Sequence, residues 1–286
     1  ECRMMTTQQL AAYLHRSSRG LGNRVGQLVT QGLLRETPRV HGQKRGRPER
    51  IVLLSERAVD ILKERGLIDP AMPNEDIVGR HINCHSHQLL LNWVRIHLIQ
   101  VQRILPRLCV KFLAHNSPLF PPAFSDSSII SDPLPGQTKP QKILNFRPDA
   151  TFSILDEDQD KALLFFLEVD MGTETLASPK RDRTDIRQKI LNYGDLFDTL
   201  AYKRYEKLFD CRFNGFRLLF LTDTFAGVSA ISSLVRQMPP SDFVWLTDKD
   251  RMFEDGISAE IWVRGGRIED RPQSILGSLS CRAPLE

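Results

Sequence analysis

A chain of 286 residues with 41% hydrophobic content is long enough for two domains and apolar enough to bury real cores, which excludes a disordered protein. The net charge of +4 is mild, but residues 1–66 hold 13 Lys/Arg against 6 Asp/Glu and the remainder holds 26 against 29. A basic first part joined to a slightly acidic second part points to an anionic partner for the first, with nucleic acid the obvious candidate.

Five cysteines (Cys2, Cys84, Cys109, Cys211, Cys281) are scattered without a CxxC pair, which fits a reducing compartment better than a disulfide scaffold. No apolar run reaches the roughly 20 residues of a bilayer span, and the start "ECRMMTTQQ" has no signal-peptide core. A cytoplasmic protein with no membrane partner is expected. A start at Glu1 rather than Met is what a piece of a longer protein would show.

In chain order, "TTQQLAAYLHRS" opens with Thr6 and Thr7 as candidate N-caps and places Leu10, Ala11 and Leu14 on one helical face. After "SSRG", the run "LGNRVGQLVTQGLL" repeats Leu21, Val25, Leu28 and Val29 at helical spacing, with Gly32 set to end a second helix. A strand, a Gly- and Arg-rich loop from His41 to Pro48, a returning strand at Ile51 to Leu54 and a closing helix follow. These residues resemble a winged helix-turn-helix domain, and "GQKRGRPERIVLLSERAVDIL" looks like the wing and last helix of many bacterial transcription regulators. The resemblance implies that the second helix enters the major groove and that the wing follows the phosphates. Arg16, Ser18, Arg19, Asn23, Arg24 and Gln27 would then face double-stranded DNA, with Lys44, Arg45 and Arg47 lining the wing. A basic loop that is only a solvated surface, or a winged domain used for protein contacts, is the alternative.

"GLIDPAMPNED" is rich in Pro and loop formers and marks a boundary, so that residues 1–68 form the first domain and 69–286 the second. "IVGRHINCHSHQLLLNWVRIHLIQVQRIL" reads as one long scaffold helix with Leu89, Leu90, Trp93, Ile96 and Val101 on its apolar stripe. His81, Cys84 and His85 fall at i, i+3 and i+4, with His87 close by, which is zinc-ligand spacing. No matching Cys/His pair occurs elsewhere, so packing or hydrogen bonding is the expected role. Residues 117–140 are Pro/Ser-rich and read as a long loop.

Chemistry concentrates further on. "ILNFRPDATFSIL" reads as a strand with Pro148 and Asp149 near its start, "EDQDK" as a turn and "ALLFFLEVDMG" as the returning strand. Side chains alternate along a strand, so Glu168 and Asp170 share a face, and the neighbouring strand can bring Asp149 beside them. Three converging carboxylates repel one another unless a divalent cation, Mg²⁺ or Mn²⁺, sits among them. The next helix, "DRTDIRQKILNYGDLFDTLAY", puts Asp185, Lys189 and Tyr193 at four-residue spacing above a core stripe of Ile186, Ile190 and Phe197, so Lys189 can reach the carboxylates. "FRLLFLTD", "AGVSAISSLVRQM" and "DFVWLTD" continue as strand, helix and strand, which means an α/β fold with a mixed sheet. "IWVRGGRIED" reads as a last hairpin.

The order Pro148-Asp149, hairpin, Glu168-Val169-Asp170 resembles the restriction-endonuclease-like fold with its PD-(D/E)xK signature, with Asp170 where that family has lysine. The combination "RPDA…FFLEVDMGTE…K…Y" behind a winged helix looks more narrowly like the replication-relaxation family, related to MobC-type relaxases of mobilisable plasmids. That resemblance implies metal held by Asp149, Glu168 and Asp170, charge stabilisation by Lys189 on the phosphate, and a stacking, hydrogen-bonding or nucleophilic Tyr193. The function implied is recognition and metal-dependent nicking of a DNA site on a plasmid or integrative element, with other mobile-element proteins and a homodimer as further expectations. Two rivals stand beside it: a non-catalytic DNA-binding factor with a degenerate nuclease fold, and a strand-cutting subunit that works with other proteins. An ion-pair network of the two strand carboxylates with Lys189, Arg181 or Arg147 is the purely structural alternative.

Overall fold

Met4–Thr6 forms strand β1, and Thr6 then turns the chain into helix α1 (Thr7–Leu14) through a capping box. The Thr6 hydroxyl accepts from the Gln9 N–H at 3.1 Å, while the Gln9 side chain accepts from the Thr6 N–H at 3.2 Å. His15 closes α1 in the left-handed region, and Ser17 caps α2 (Ser18–Thr30) by accepting from the Gly20 N–H. Strands β2 (Leu34–Pro38) and β3 (Arg50–Leu54) and helix α3 (Glu56–Glu64) follow. The computed structural model describes residues 2–38, 50–79, 85–115, 128–130, 143–145, 148–178, 185–239 and 241–285. The described residues of Glu1–Ile96 make one compact unit and those of His97–Asn116 and Phe120–Leu285 a second.

In the first unit β3 lies between β1 and β2, antiparallel to both, with Met4 opposite Leu53 and Leu34 opposite Leu54. Met4, Ile51, Leu53 and Leu89 form the core beneath it. Two side chains tie this sheet and α1 to the following helix. Asn92 donates to the Met4 carbonyl at 2.5 Å, and the buried Gln9 donates to the Leu89 carbonyl at 2.6 Å. The long helix expected from Ile77 onward is divided: α4 (Asn74–Val78) ends at Gly79, whose φ of 72° is a left-handed C-cap, and α5 runs over His85–Ile104. His81 and Cys84, half of the zinc-like spacing, lie outside the described residues.

The second unit is built on a six-stranded mixed sheet. Strands β4 (Leu108–Ala114), β7 (Ala150–Asp156) and β8 (Lys161–Asp170) are successively antiparallel, and β8, β9 (Phe216–Thr222) and β10 (Val244–Asp248) are parallel. The two-residue β11 (Val263–Arg264) closes one edge, antiparallel to β10. The crossover from β8 to β9 carries α6 (Ile186–Asp198) and α7 (Arg204–Phe209), and that from β9 to β10 carries α8 (Phe225–Val235). Phe166, Leu218 and Phe220 from the sheet pack with Ile186, Ile190, Tyr193, Tyr205 and Ile231 from these helices. Helices on a mixed sheet give the α/β class expected from the alternation of elements.

Four expectations give way locally. The strand read over 143–155 is two strands: β6 (Ile143–Asn145) pairs with β5 (Ser128–Ile130), and only β7 joins the main sheet. Pro148 lacks the N–H that a continuous strand would use in its ladder. Strand β5 also lies inside the segment read as a loop. Phe197, expected in the core, is 39% exposed, although its ring stacks on Tyr202 at 5.9 Å and meets Phe216 edge-on. The expected last hairpin is a single short strand, with Trp262 bridged to Gln273, and α9 (Lys249–Asp255) is a helix that the periodicity did not reveal.

The C-terminal segment is fastened where α9 ends. Ala283 donates to the Asp255 carbonyl at 2.9 Å, and Gly256, at φ 89°, lies so close to Ala283 that any Cβ would collide with its carbonyl. We expect Gly256→Ala to cost about 2–4 kcal/mol through strain and overpacking. Gly277→Ala, also at positive φ but in open space, should cost about 1 kcal/mol. Urea unfolding of both variants checks this, and equal midpoints for the two would refute the close-approach explanation.

Candidate active site

Strand β8 carries a buried run from Leu164 to Asp170. Period-two alternation sends Leu164 and Phe166 into the core under α6, and the next residue on that face is Glu168, only 3% exposed. An ionised carboxylate there needs partners. Helix α6 supplies two from successive turns, because Lys189 and Tyr193 are four residues apart. Lys189 Nζ donates to Glu168 Oε2 at 2.9 Å, and Tyr193 Oη donates to Glu168 Oε1 at 2.6 Å. The Tyr193 ring packs on Phe166 with centroids 5.5 Å apart, which aims its hydroxyl along the strand. Asp185 starts α6 and so sets this register: its Oδ1 accepts from the Gln188 N–H at 2.8 Å. Its carboxylate is thus a helix cap.

Asp149 stands beside this group, immediately before the adjoining strand β7. Its N–H donates to the Leu167 carbonyl at 3.0 Å, its carbonyl accepts from the His115 N–H at 2.9 Å, and its Oδ2 accepts from the Val169 N–H at 2.7 Å. Asp170 behaves differently. It ends β8, and its Oδ1 accepts from the Gly172 N–H at 2.9 Å, capping the turn in which Gly172 adopts φ 74°. Among the described residues no group of three or more His, Cys, Asp or Glu side chains is disposed to hold a metal ion. Of the three carboxylates expected to converge, Asp149 and Glu168 lie close enough for their charges to interact, beside Lys189 and Tyr193, and Asp170 has one oxygen engaged by the Gly172 N–H. Strand alternation predicts a shared face but not where a terminal side chain finds its hydrogen bond.

Glu174 is the residue that strand reasoning missed. It takes a second Lys189 hydrogen bond at 2.8 Å. Its place in the loop "MGTETL", just beyond the strand, was the available signal.

Burial is the largest influence on Glu168, and it raises the carboxyl to about 7, assisted by the Asp149 charge and opposed by Lys189 and Tyr193. For Lys189, burial alone would lower the pKa, but Glu168 and Glu174 outweigh it and raise it, so the ammonium persists. Tyr193 is held well above the ordinary phenol value by burial and then by Glu168. The phenol therefore stays protonated and donates to the carboxylate.

In the first unit, the residues expected to face DNA are exposed without exception: Arg16 follows α1, and Ser18, Arg19, Asn23, Arg24 and Gln27 lie along α2, of which only Val25 is buried. Arg24 donates to Gln27 at 3.2 Å. Lys44, Arg45 and Arg47 lie outside the described residues.

The Glu168 shift sets a pH dependence. Its folded value near 7 lies above the 4.5 of an unperturbed carboxyl, so the folded state holds the proton more tightly. That stability is present below the unfolded value and is lost as pH rises through about 7. Wild type should therefore lose melting temperature relative to Glu168→Gln between about pH 5 and pH 8, by several degrees. A gap that stays constant across this range would mean that Lys189 keeps Glu168 ionised throughout.

No curated protein and no solved structure matches the chain. A model of the family described as replication-relaxation matches residues 1–211, which include the exposed helix α2, Asp149, the strand that carries Glu168, and the helix that carries Lys189 and Tyr193. The chain belongs to the replication-relaxation family.

Proposed function

We propose that this is a DNA-binding protein of plasmid or other mobile-element replication or mobilisation, which recognises a site in duplex DNA and nicks it. The observation that carries the nicking half is the buried Glu168 on a hairpin strand, between Asp149, immediately before its partner strand, and Lys189 on the next helix. This is the order of groups in a restriction-endonuclease-like centre, with the lysine supplied by the helix instead of by the strand.

Recognition belongs to the first unit, read as a winged helix-turn-helix. Helices α1 and α2 are joined by the short turn His15–Ser17, and an antiparallel strand pair follows. Helix α2 offers Arg19, Asn23, Arg24 and Gln27 to solvent, side chains suited to base edges and phosphates. Lys44, Arg45 and Arg47 extend this reading along the wing. Double-stranded DNA is the partner, with a second copy of the chain or other mobile-element proteins completing the assembly. No described helix is long and apolar enough to cross a membrane.

In the second unit, Asp149 and Glu168 form a two-carboxylate site of the kind that Mg²⁺ or Mn²⁺ occupies together with substrate phosphate and water. Burial is the main cause that raises Glu168, and the Asp149 charge adds to it; that added repulsion is what a cation would relieve. A cation held by Asp149 and Glu168 would supply Lewis-acid polarisation of a phosphoryl oxygen and would lower the pKa of an attacking water. Lys189 stabilises charge that develops on the phosphate. Tyr193, buried and donating to Glu168, orients that carboxylate; its raised pKa disfavours a nucleophilic part. Asp170 shapes the turn after the strand.

A second reading has its own observation: both Glu168 oxygens are already satisfied within the protein, and Lys189 is shared with Glu174. That pattern favours a DNA-binding factor in which the nuclease-like unit serves assembly. Nicking of supercoiled plasmid carrying the cognate element, with Mg²⁺ or Mn²⁺, separates the two. The catalytic reading expects a metal-dependent nick that Glu168→Gln and Asp149→Asn reduce by at least about a hundredfold. Wild type that binds the DNA but does not nick it with either metal, or nicking that persists in both variants, overturns that reading. Independently, the double variant Arg19→Gln/Arg24→Gln should lose about tenfold or more in DNA affinity and flatten the salt dependence by about 0.9 for each phosphate contact removed. Unchanged affinity and slope would move the DNA interface elsewhere.

A further inference from the structure

The six-stranded sheet has a second concave site, on the face opposite Glu168. Register places it there: Arg217 on β9 pairs with Phe165, and Trp245 on β10 pairs with both Leu219 and Arg264, whereas Phe166 and Glu168 alternate to the other side. A cavity of about 380 Å³ is lined by Arg217, Trp245, Glu260, Arg264, Arg271 and Gln273, among others. All of its lining residues lie beyond residue 211, where the family match ends.

Charge is unbalanced in this cavity. Three arginines face one glutamate, and that glutamate is committed: Glu260 Oε2 accepts from Arg271 at 3.1 and 2.6 Å. Arg264 is held by the Asp242 carbonyl at 3.2 Å and, more loosely, by its carboxylate at 3.7 Å, which Arg267 engages at 3.0 Å. Arg217 has no such counterion among the described residues. Its guanidinium lies over the Trp245 ring, 4.6 Å from the centroid, and donates to the Ile275 carbonyl. Burial and then the neighbouring Arg264 both disfavour its charge. A strand otherwise made of "F", "LLFLT" residues thus spends its one cation inside a pocket that already holds two more.

We infer that this cavity binds a terminal phosphate group, with Arg217 reaching it from the sheet and Arg264 and Arg271 from the rim. Guanidinium forks match phosphate oxygens geometrically, and three of them supply more donors than the two oxygens of a carboxylate can accept. A doubly charged phosphate monoester also relieves the cation surplus that a singly charged acid would leave. The volume is at the lower end of small-molecule pockets and suits a group of nucleotide size. Two sources carry this chemistry: a free mononucleotide and the 5′-phosphorylated end of a DNA strand. This inference concerns binding on the far face of the sheet and does not depend on nicking at Glu168.

The test is a titration of the full chain, followed by calorimetry and thermal shift, with inorganic phosphate, deoxyadenosine monophosphate, and a single-stranded octamer carrying either a 5′-phosphate or a 5′-hydroxyl. We expect binding of at least one phosphate-bearing probe, weakened about tenfold or more in Arg264→Gln/Arg271→Gln and unchanged in the control Arg212→Gln. A strand end is the source if the 5′-phosphate strengthens octamer binding; a free nucleotide is the source if the monophosphate binds and the two octamers do not differ. Should the double variant fail to fold, the single Arg271→Gln serves, because that side chain is 83% exposed. The inference is overturned if no phosphate probe binds up to about 10 mM, if the arginine variants bind as wild type does, or if an acidic peptide competes better than any phosphate.

Discussion

A carboxylate in the middle of a sheet is the constraint around which the second unit is arranged. Glu168 occupies a position on β8 where the neighbouring residues on its face, Leu164 and Phe166, belong to the core. Leaving it there unpaired would cost several kcal/mol, more than most single interactions in the fold can offset. Helix α6 answers by placing Lys189 and Tyr193 one turn apart over the strand, and Asp185 sets the start of that helix. The packing of Tyr193 on Phe166 and the hydrogen bond of Tyr193 to Glu168 use one side chain for both purposes. The helix that completes the core is therefore also the helix that completes the site.

Such an arrangement is stable and chemically poised at once. Desolvation lifts Glu168 toward neutrality, while two donors hold it in a single orientation. Asp149 adds a second charge from the neighbouring strand, fixed by the Val169 N–H. A purely structural ion pair would gain little from a second carboxylate at this point, because its repulsion opposes the pairing. The first unit shows the opposite economy: α2 buries almost nothing but Val25, and leaves its polar residues in water. A helix with so little to bury is stabilised by its cap and by its neighbours, and its outer face is left exposed to solvent.

Much of this was legible in the residues. The Thr6 cap, the helical repeat that ends at Gly32, the apolar strand that contains Glu168, and the four-residue spacing of Lys189 and Tyr193 are local patterns, and local patterns survive into the fold. Less could be read where the outcome depended on distant partners. Asp170 shares the alternation of Glu168 but turns to the Gly172 N–H, because a strand end offers an unpaired donor. Phe197 has core periodicity yet stays partly exposed. The segment around Ile143 has strand character but pairs with Ser128–Ile130 instead of extending β7.

By itself the sequence determined the α/β class, the basic character of the first part, the helical register of Lys189 and Tyr193 and the presence of charge in a buried strand. These follow from composition and from the two periodicities of the backbone, which act over a few residues. Only the tertiary structure brought Asp149 beside Glu168, through strand pairing, and gave Asp170 its hydrogen bond from the Gly172 N–H. The same holds for Arg217, Arg264 and Arg271, which come from separate stretches of chain and share a cavity through the order of β9, β10 and β11 and the loop beyond them. Sheet register is a long-range property, and it was register that turned scattered charges into sites.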